Sequence, residues 1–238
     1  LTTPLLSISR RSALRGAAAG LTGALLTAGA AGCTPGRDNT VASTPSPAPA
    51  GPPQSSRRIL LAYFSRAGEN YYYGGRTNLD VGNTEVLAGM ISALVPCDVH
   101  RIEAAEPYPD GYDATVARNV REQNGDARPA IANPLPAIDQ YGSVILASGI
   151  WNVRAPMIMA TFTESYDFTG KTVFPVTTHA MSGLGTAARD YAESCPGATI
   201  AEGLAVKGEE VRDAAADIES WLHATGLLTW SDSSGAGT

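Results

Sequence analysis

Two hydrophobic rhythms alternate along the chain. Short, nearly continuous apolar runs occur at Ile59–Phe64, Ser143–Ser148 and Thr172–Thr177. Runs of this length suit strands covered on both faces. Asp98–Glu103 alternates apolar and polar residues, and Thr199–Val206 offers a last short strand. The segments between them carry helical spacing. Val86, Leu87, Met90, Ile91 and Leu94 make the apolar stripe of a helix running to about Val95, with Asn83 or Thr84 as its cap. Tyr112–Asn124 reads as a second helix, with Ala114, Val116, Ala117 and Val120 partly buried. Pro156 can open a third, running to about Ser165. Thr186–Ser194 is a fourth and Glu209–Thr225 a fifth. Pro175 sits awkwardly inside its strand, because central strands tolerate proline poorly.

Five strands alternating with five helices, with no internal repeat, predict an α/β fold with a parallel sheet covered on both faces. Ligands bind such sheets beyond the C-terminal strand ends, where the strand order reverses. The irregular loops after Phe64, Ser148 and Thr177 all fall at such ends. The first is interrupted by Glu69–Val81, which is long for a strand–helix loop and contains Tyr71-Tyr72-Tyr73-Gly74-Gly75. That run could be a lid, a docking surface or an apolar anchor for its own loop.

Composition narrows the picture. The chain has 238 residues, 44% apolar, and a formal net charge of -6. The charge is unevenly spread: six Arg and one Asp precede Ile59, leaving eleven Lys or Arg against twenty-two Asp or Glu after it, a net of -11. Such a domain repels nucleic acid. It can still hold a small phosphorylated ligand on backbone N–H groups.

The first 33 residues read as an export signal. Ser9-Arg10-Arg11-Ser12 supplies twin arginines, Gly16–Ala31 a small-residue apolar segment, and Ala30-Ala31-Gly32-Cys33 a lipobox-like ending. A Tat-like signal of this kind predicts export to the extracytoplasmic face of a bacterial membrane, with lipidation at Cys33. Residues 34–58 are rich in Pro, Ser, Ala and Thr and read as a tether. The domain is expected over 59–226, with a tail over 227–238. Cys97 and Cys195 form no CxxC, and no His/Cys cluster has metal-ligand spacing. They read as two structural thiols, with a disulfide left open.

The first loop lacks both GxxxxGK[ST] and GxGxxG, which argues against an ATPase or a dinucleotide site. Ser65, Thr84 and the N–H groups of a helix start could cradle a phosphate, or could be an ordinary strand end and cap. Trp151, directly beyond a strand, could anchor its loop or stack on a planar cofactor. Thr177, Thr178, His179, Ser182 and Gly183 can serve a cofactor's polar edge. A phosphate cradle, an aromatic face and a polar edge together suit flavin mononucleotide (FMN). No catalytic nucleophile is evident: Ser182 is too close to His179 in sequence to imply a triad, and Ser65 has no identifiable base.

Ile59–Gly68 with Gly82-Asn83-Thr84 resembles the split phosphate loop of flavodoxin-like proteins. Glu106-Pro107-Tyr108-Pro109, Gly149-Ile150-Trp151, Phe168–Thr172 and Thr178–Gly185 fit one branch of the same family. The likeness runs from Ile59 to about Leu222. It implies a three-layer fold, a five-stranded parallel sheet of order 2-1-3-4-5, and noncovalent FMN. By the same resemblance Ser65, Arg66, Ala67, Asn83 and Thr84 would hold the phosphate. Trp151, Asn152 and Val153 would line the ring system, and Thr178, His179, Ser182 and Gly183 its other wall or edge. The chain departs from the family at the 69–81 insertion, at Asn152 where a second aromatic is common, and at Ala180-Met181 where a glycine pair is more usual. The resemblance implies electron transfer with a redox protein, or reduction of a quinone-like small acceptor, with NAD(P)H as a possible donor. The alternative is a binding or assembly module of the same fold without flavin.

Overall fold

The computed structural model describes residues 58–229. The expected signal over 1–33 with Cys33, and the tether as far as residue 57, lie outside the described residues, as does the expected tail from residue 230. Strands are β1 (Arg58–Tyr63), β2 (Gly68–Tyr72), β3 (Gly75–Leu79), β4 (Asp98–Arg101), β5 (Tyr141–Gly149), β6 (Thr172–His179), β7 (Thr199–Ile200) and β8 (Leu204–Lys207). Helices are α1 (Asn83–Leu94), α2 (Tyr112–Asn124), α3 (Met157–Glu164), α4 (Ala187–Ser194) and α5 (Ala215–Ala224), with a 3₁₀ turn at Gly208–Asp213 before the last.

The main sheet is parallel, in the order β4-β1-β5-β6-β7, with β8 also pairing with β6. Counting β7 and β8 as one interrupted strand gives the expected order 2-1-3-4-5. Pro175 explains the interruption. β7 pairs with β6 at Thr172–Val173 and β8 at Val176–His179. The gap falls opposite Pro175, whose carbonyl lies so close to Gly203 that a Cβ there would sit 2.6 Å away. A strand residue points its N–H and C=O to the same side, so the N–H that proline lacks would have faced the missing rungs.

Neighbouring strand residues bury into different layers, which is why these strands read as continuous apolar runs. Leu60, Leu146 and Val173 pack with Ile158, Phe162, Ala187 and Tyr191 of α3 and α4. Leu61, Ile145 and Phe174 pack with Leu87, Ile91, Ile218 and Leu222 of α1 and α5 on the other face. Each fully buried Leu or Ile contributes roughly 1.5–3 kcal/mol. Cys195 belongs to the first layer and Cys97 packs against the second; both thiols are free, so the sheet separates them.

Several expectations need correction. α2 turns its other face inward: Thr115, Asn119 and Glu122 are buried, while Ala114, Val116, Ala117 and Val120 are exposed. The reason is its polar neighbour, the 106–109 loop. There Tyr108 Oη donates to Glu122 at 2.7 Å, Arg118 Nε donates to the same carboxylate at 2.7 Å, and the guanidinium lies 3.9 Å over the Tyr108 ring. Leu94 is exposed rather than part of the α1 stripe. The 69–81 insertion is a β-hairpin, with β2 and β3 antiparallel around Tyr73-Gly74. Both turn residues have positive φ (44° and 82°), the requirement of a type I′ hairpin turn. Leu227 and Leu228, expected in the tail, pack against the α1/α5 layer.

Candidate functional site

One cavity of about 590 Å³ opens beyond the C-terminal ends of β1, β5 and β6. Its volume falls within the ~300–1,000 Å³ of small-molecule sites. The loops after β1, β5 and β6 all reach it, as does the exposed face of α2.

At the first loop, α1 begins with Gly82 as its N-cap and no side-chain cap, so neither Asn83 nor Thr84 plays the expected capping part. Ser65 reaches in from across the loop: its Oγ takes the Glu85 N–H at 3.1 Å, shared with the Gly82 carbonyl at 3.0 Å, leaving its O–H free to donate. Gly82 makes this approach possible, since a Cβ there would lie 2.3 Å from Ser65 Oγ and 2.4 Å from the Arg66 carbonyl. Among the described residues no protein acceptor takes the N–H groups of Arg66, Asn83 or Thr84. Open N–H groups at a helix N-terminus are an anion site. The Arg66 side chain does different work. Its guanidinium donates to the carbonyls of Pro109 (3.1 Å), Asp110 (2.9 Å) and Glu69. Burial lowers its pKa, opposed by Asp110 and Glu69. Ala67 is not among the residues lining the cavity.

The hairpin flanks this end of the cavity through Asn70 and Tyr71. Both strands are fastened to the start of α2: Glu69 of β2 accepts the Tyr112 N–H at 2.9 Å, and Arg76 of β3 reaches Asp113 at 2.7 and 3.0 Å. Its tip crosses to the 3₁₀ turn, where the Tyr73 N–H donates to Glu209 at 3.1 Å. Of the tyrosine run, Tyr71 is half-buried at the cavity, whereas Tyr72 and Tyr73 are exposed and stack edge-on.

Beyond β5, Trp151 lines the cavity and packs edge-on against Phe64 and Tyr108, with centroids 5.8 and 5.2 Å away. It is therefore anchored and still presented to the cavity. The next residues make a tight turn closed by Trp151 N–H to the Arg154 carbonyl at 2.8 Å, with Asn152 at φ 50° and Val153 at φ 63°. A β-branched residue in the left-handed region is strained. The turn is held by Thr186 N–H on the Val153 carbonyl (2.8 Å) and by Gln123, which donates to the Trp151 carbonyl (2.9 Å) and accepts from Asn152 (3.1 Å).

At the end of β6, Thr178, His179 and Ser182 line the cavity. The Thr178 hydroxyl lies 2.7 Å from that of Thr84, joining the first and third loops inside a buried pair. His179 Nδ1 is buried without a protein partner, and burial pushes its pKa below the ordinary histidine value. Gly183 is not among the lining residues; its carbonyl accepts from Thr177 Oγ1 at 3.0 Å.

Of the residues expected here, Ser65, Arg66, Asn83, Thr84, Trp151, Asn152, Val153, Thr178, His179 and Ser182 meet at one cavity, and Ala67 and Gly183 do not line it. Sequence reasoning missed Tyr112, Thr115, Val116, Asn119 and Val120 of α2, and Gly208 and Glu209. One signal was available: Thr115, Asn119 and Glu122 share a helical face at i, i+4 and i+7.

No curated protein matches the chain. Among solved structures, a proposed flavoprotein from Bacteroides eggerthii DSM 20697 is 29% identical, with a TM-score of 0.58; the match covers 71% of this chain and 98% of that one. A second proposed flavoprotein, from Bacteroides uniformis ATCC 8492, is 24% identical with a TM-score of 0.56, covering 70% and 98%, and shares the fold. The family model described as flavodoxin matches residues 58–225, most of the chain, and this chain belongs to the flavodoxin family.

Proposed function

We propose that this chain binds FMN noncovalently in the cavity above β1, β5 and β6, and acts in electron transfer or in reduction of a quinone-like small acceptor. The observation that carries the reading is the first-loop cradle. Open N–H groups stand at the start of α1, the Ser65 hydroxyl beside them keeps its proton free to donate, and Gly82 lets Ser65 and the Arg66 carbonyl come up against the helix start as no larger residue could. A phosphate monoester fits that donor set without a lysine. The unpartnered His179 Nδ1 fits a ligand with polar ring edges.

When bound, FMN supplies the electron chemistry, and the protein supplies position and surroundings. Asn83, Thr84 and the Ser65 O–H hold the phosphate end. Trp151, Asn152 and Val153 present one wall on a turn that Gln123 and Thr186 keep rigid. Thr178 and His179 form the polar edge, and a neutral His179 can donate or accept at Nδ1 according to its tautomer. The hairpin, tied to α2 and to the 3₁₀ turn, walls this end of the cavity through Asn70 and Tyr71. The net charge of -11 beyond residue 58 suits basic patches on a redox partner, and NAD(P)H is the candidate small-molecule donor.

We also propose that the protein is exported by its Tat-like signal and held at the extracytoplasmic membrane face through lipid on Cys33. Cys33→Ser is expected to move it from the membrane fraction to the soluble one; unchanged fractionation contradicts the anchor. For the cofactor, the purified protein is expected to show flavin bands near ~375 and ~450 nm, from the flavin itself. A colourless protein that takes up no added FMN would leave only the flavin-free binding module. With flavin present, anaerobic reduction by NADH or NADPH marks a reductase, and its absence a carrier.

A further inference from the structure

Behind the Trp151 wall of the cavity stands a buried phenol that the binding reading does not use. Tyr108 is 8% exposed and is not among the residues lining the cavity. Its ring meets the Trp151 ring edge-on, with centroids 5.2 Å apart. Among the described residues the other ring against Trp151 is Phe64, and a phenyl group is much harder to oxidise than a phenol. Tyr108 Oη donates to Glu122 Oε2 at 2.7 Å. Glu122, also 8% exposed, is held in place by Arg118, whose Nε donates to its other oxygen at 2.7 Å. Arg118 is fixed in turn by the carbonyls of Glu106 (3.0 Å) and Pro107 (2.9 Å).

These contacts equip the tyrosine to give up an electron. Removing an electron from a phenol makes it a strong acid, so the step is easy only where a base takes the proton at once. Glu122 is that base, already hydrogen-bonded to the proton it would take. Arg118 makes the proton transfer obligatory. Its guanidinium lies 3.9 Å over the Tyr108 ring, so a ring that lost an electron and kept its proton would face a like charge. Burial, and next the hydrogen bond to Glu122, push the pKa of Tyr108 up, so the group starts as a neutral phenol with the proton in place. Trp151 is equipped differently. Among the described residues no protein acceptor takes its indole N–H, so its oxidised ring has no protein base. An electron vacancy that reaches Trp151 is therefore drawn on to Tyr108, away from the cavity.

We infer that Tyr108 is a redox-active tyrosine that reduces an oxidised Trp151, with Glu122 as its proton acceptor. One electron passes from the Tyr108 ring to the Trp151 radical cation, and the phenolic proton passes from Oη to Glu122 Oε2. Trp151 is restored, and a neutral tyrosyl radical and a protonated Glu122 remain. The electron first lost from Trp151 goes to a one-electron oxidant: an azide radical when that is the probe, or light-excited flavin when the cavity holds FMN as proposed. The relay itself needs no flavin. Pulse radiolysis of the full chain in azide solution generates azide radicals, which oxidise tryptophan in preference to tyrosine. The expected record is decay of the tryptophan radical band with matching growth of the tyrosyl band, at a rate independent of protein concentration. Trp151→Phe and Tyr108→Phe are expected to lose the same phase of that growth. Glu122→Gln keeps the hydrogen-bonding shape without the base, and is expected to slow that phase by roughly 100-fold or more. It also carries the test should Tyr108→Phe fail to fold. A bond that only packs α2 against its loop would change Tm in Glu122→Gln and leave the radical kinetics alone. The phase surviving Tyr108→Phe, or keeping its rate in Glu122→Gln, overturns the inference. Transfer to Tyr108 in a protein that takes up no FMN would refute the FMN reading alone. A flavin-bound protein without that transfer would refute this inference alone.

Discussion

Gly82→Ala is the sharpest steric test of the cradle. Gly82 has φ -67° and ψ 148°, extended backbone open to any residue. On backbone grounds alone, alanine there should stabilise the protein by about 0.4–1 kcal/mol through the unfolded chain. The cradle reverses the sign. The new Cβ would lie 2.3 Å from Ser65 Oγ, 2.4 Å from the Arg66 carbonyl oxygen and 2.8 Å from its carbon. Ser65 can rotate away, at the cost of its bond to Glu85. The Arg66 carbonyl is backbone, so the end of β1 and the start of α1 must separate by about 1 Å to restore contact distance. Overpacking of this kind costs about 1–3 kcal/mol, leaving a net loss of up to roughly 2.6 kcal/mol. In a domain this size that lowers Tm by up to about 10 °C. The same separation misplaces the phosphate donors; losing one charged hydrogen bond, about 1.5–3 kcal/mol, weakens FMN by roughly 10–100-fold. Thermal unfolding and FMN fluorescence titration of both proteins measure the two effects. A variant as stable as the parent, with unchanged FMN affinity, refutes the reasoning.

Three further outcomes follow from particular contacts. Thr178→Val leaves the Thr84 hydroxyl buried and unpaired and should cost about 1–3 kcal/mol, whereas Thr84→Val with Thr178→Val should recover much of it; additive losses in urea unfolding would deny the pair. Val153→Gly should raise Tm by a few degrees, because left-handed backbone costs an L-residue roughly 1–2 kcal/mol and the side chain is 55% exposed; a lower Tm would mean Val153 packs more tightly than its exposure indicates. Burial lowers the pKa of both His100 and His179. Above an unfolded-state value of about 6.5, both folded and unfolded forms are neutral. As pH falls below it the unfolded chain takes up protons first, so stability declines toward the lower folded-state values. Replacing both by Gln should flatten urea midpoints across that window, and an unchanged slope would place the effect elsewhere.

The layered core was readable because β1, β5 and β6 bury both faces, so each leaves a continuous apolar run. The split fifth strand was half readable. Pro175 announced an irregularity, but its consequence appeared on the neighbouring strand rather than its own. The hairpin at 68–79 was hidden because its strands bury little and follow no apolar alternation; only Tyr73-Gly74 hinted at a turn. α2 misled for a related reason. Its valines suggested an inward face, but the neighbouring loop is polar, and a stripe of Thr, Asn and Glu packs there instead. The site residues at strand ends were legible from position in the chain. For α2 the one local trace was the polar Thr115–Asn119–Glu122 face, while the residues of the 3₁₀ turn reach the cavity only through tertiary packing, which no local pattern records.

The central claim is that backbone N–H groups and Ser65, without a lysine, hold the phosphate of FMN. Titrating flavin-free protein with FMN and with riboflavin, which differ only in that phosphate, tests it most directly. The account predicts one FMN per chain and riboflavin binding weaker by at least about tenfold. Equal affinity for the two flavins, or no uptake of either, would contradict it.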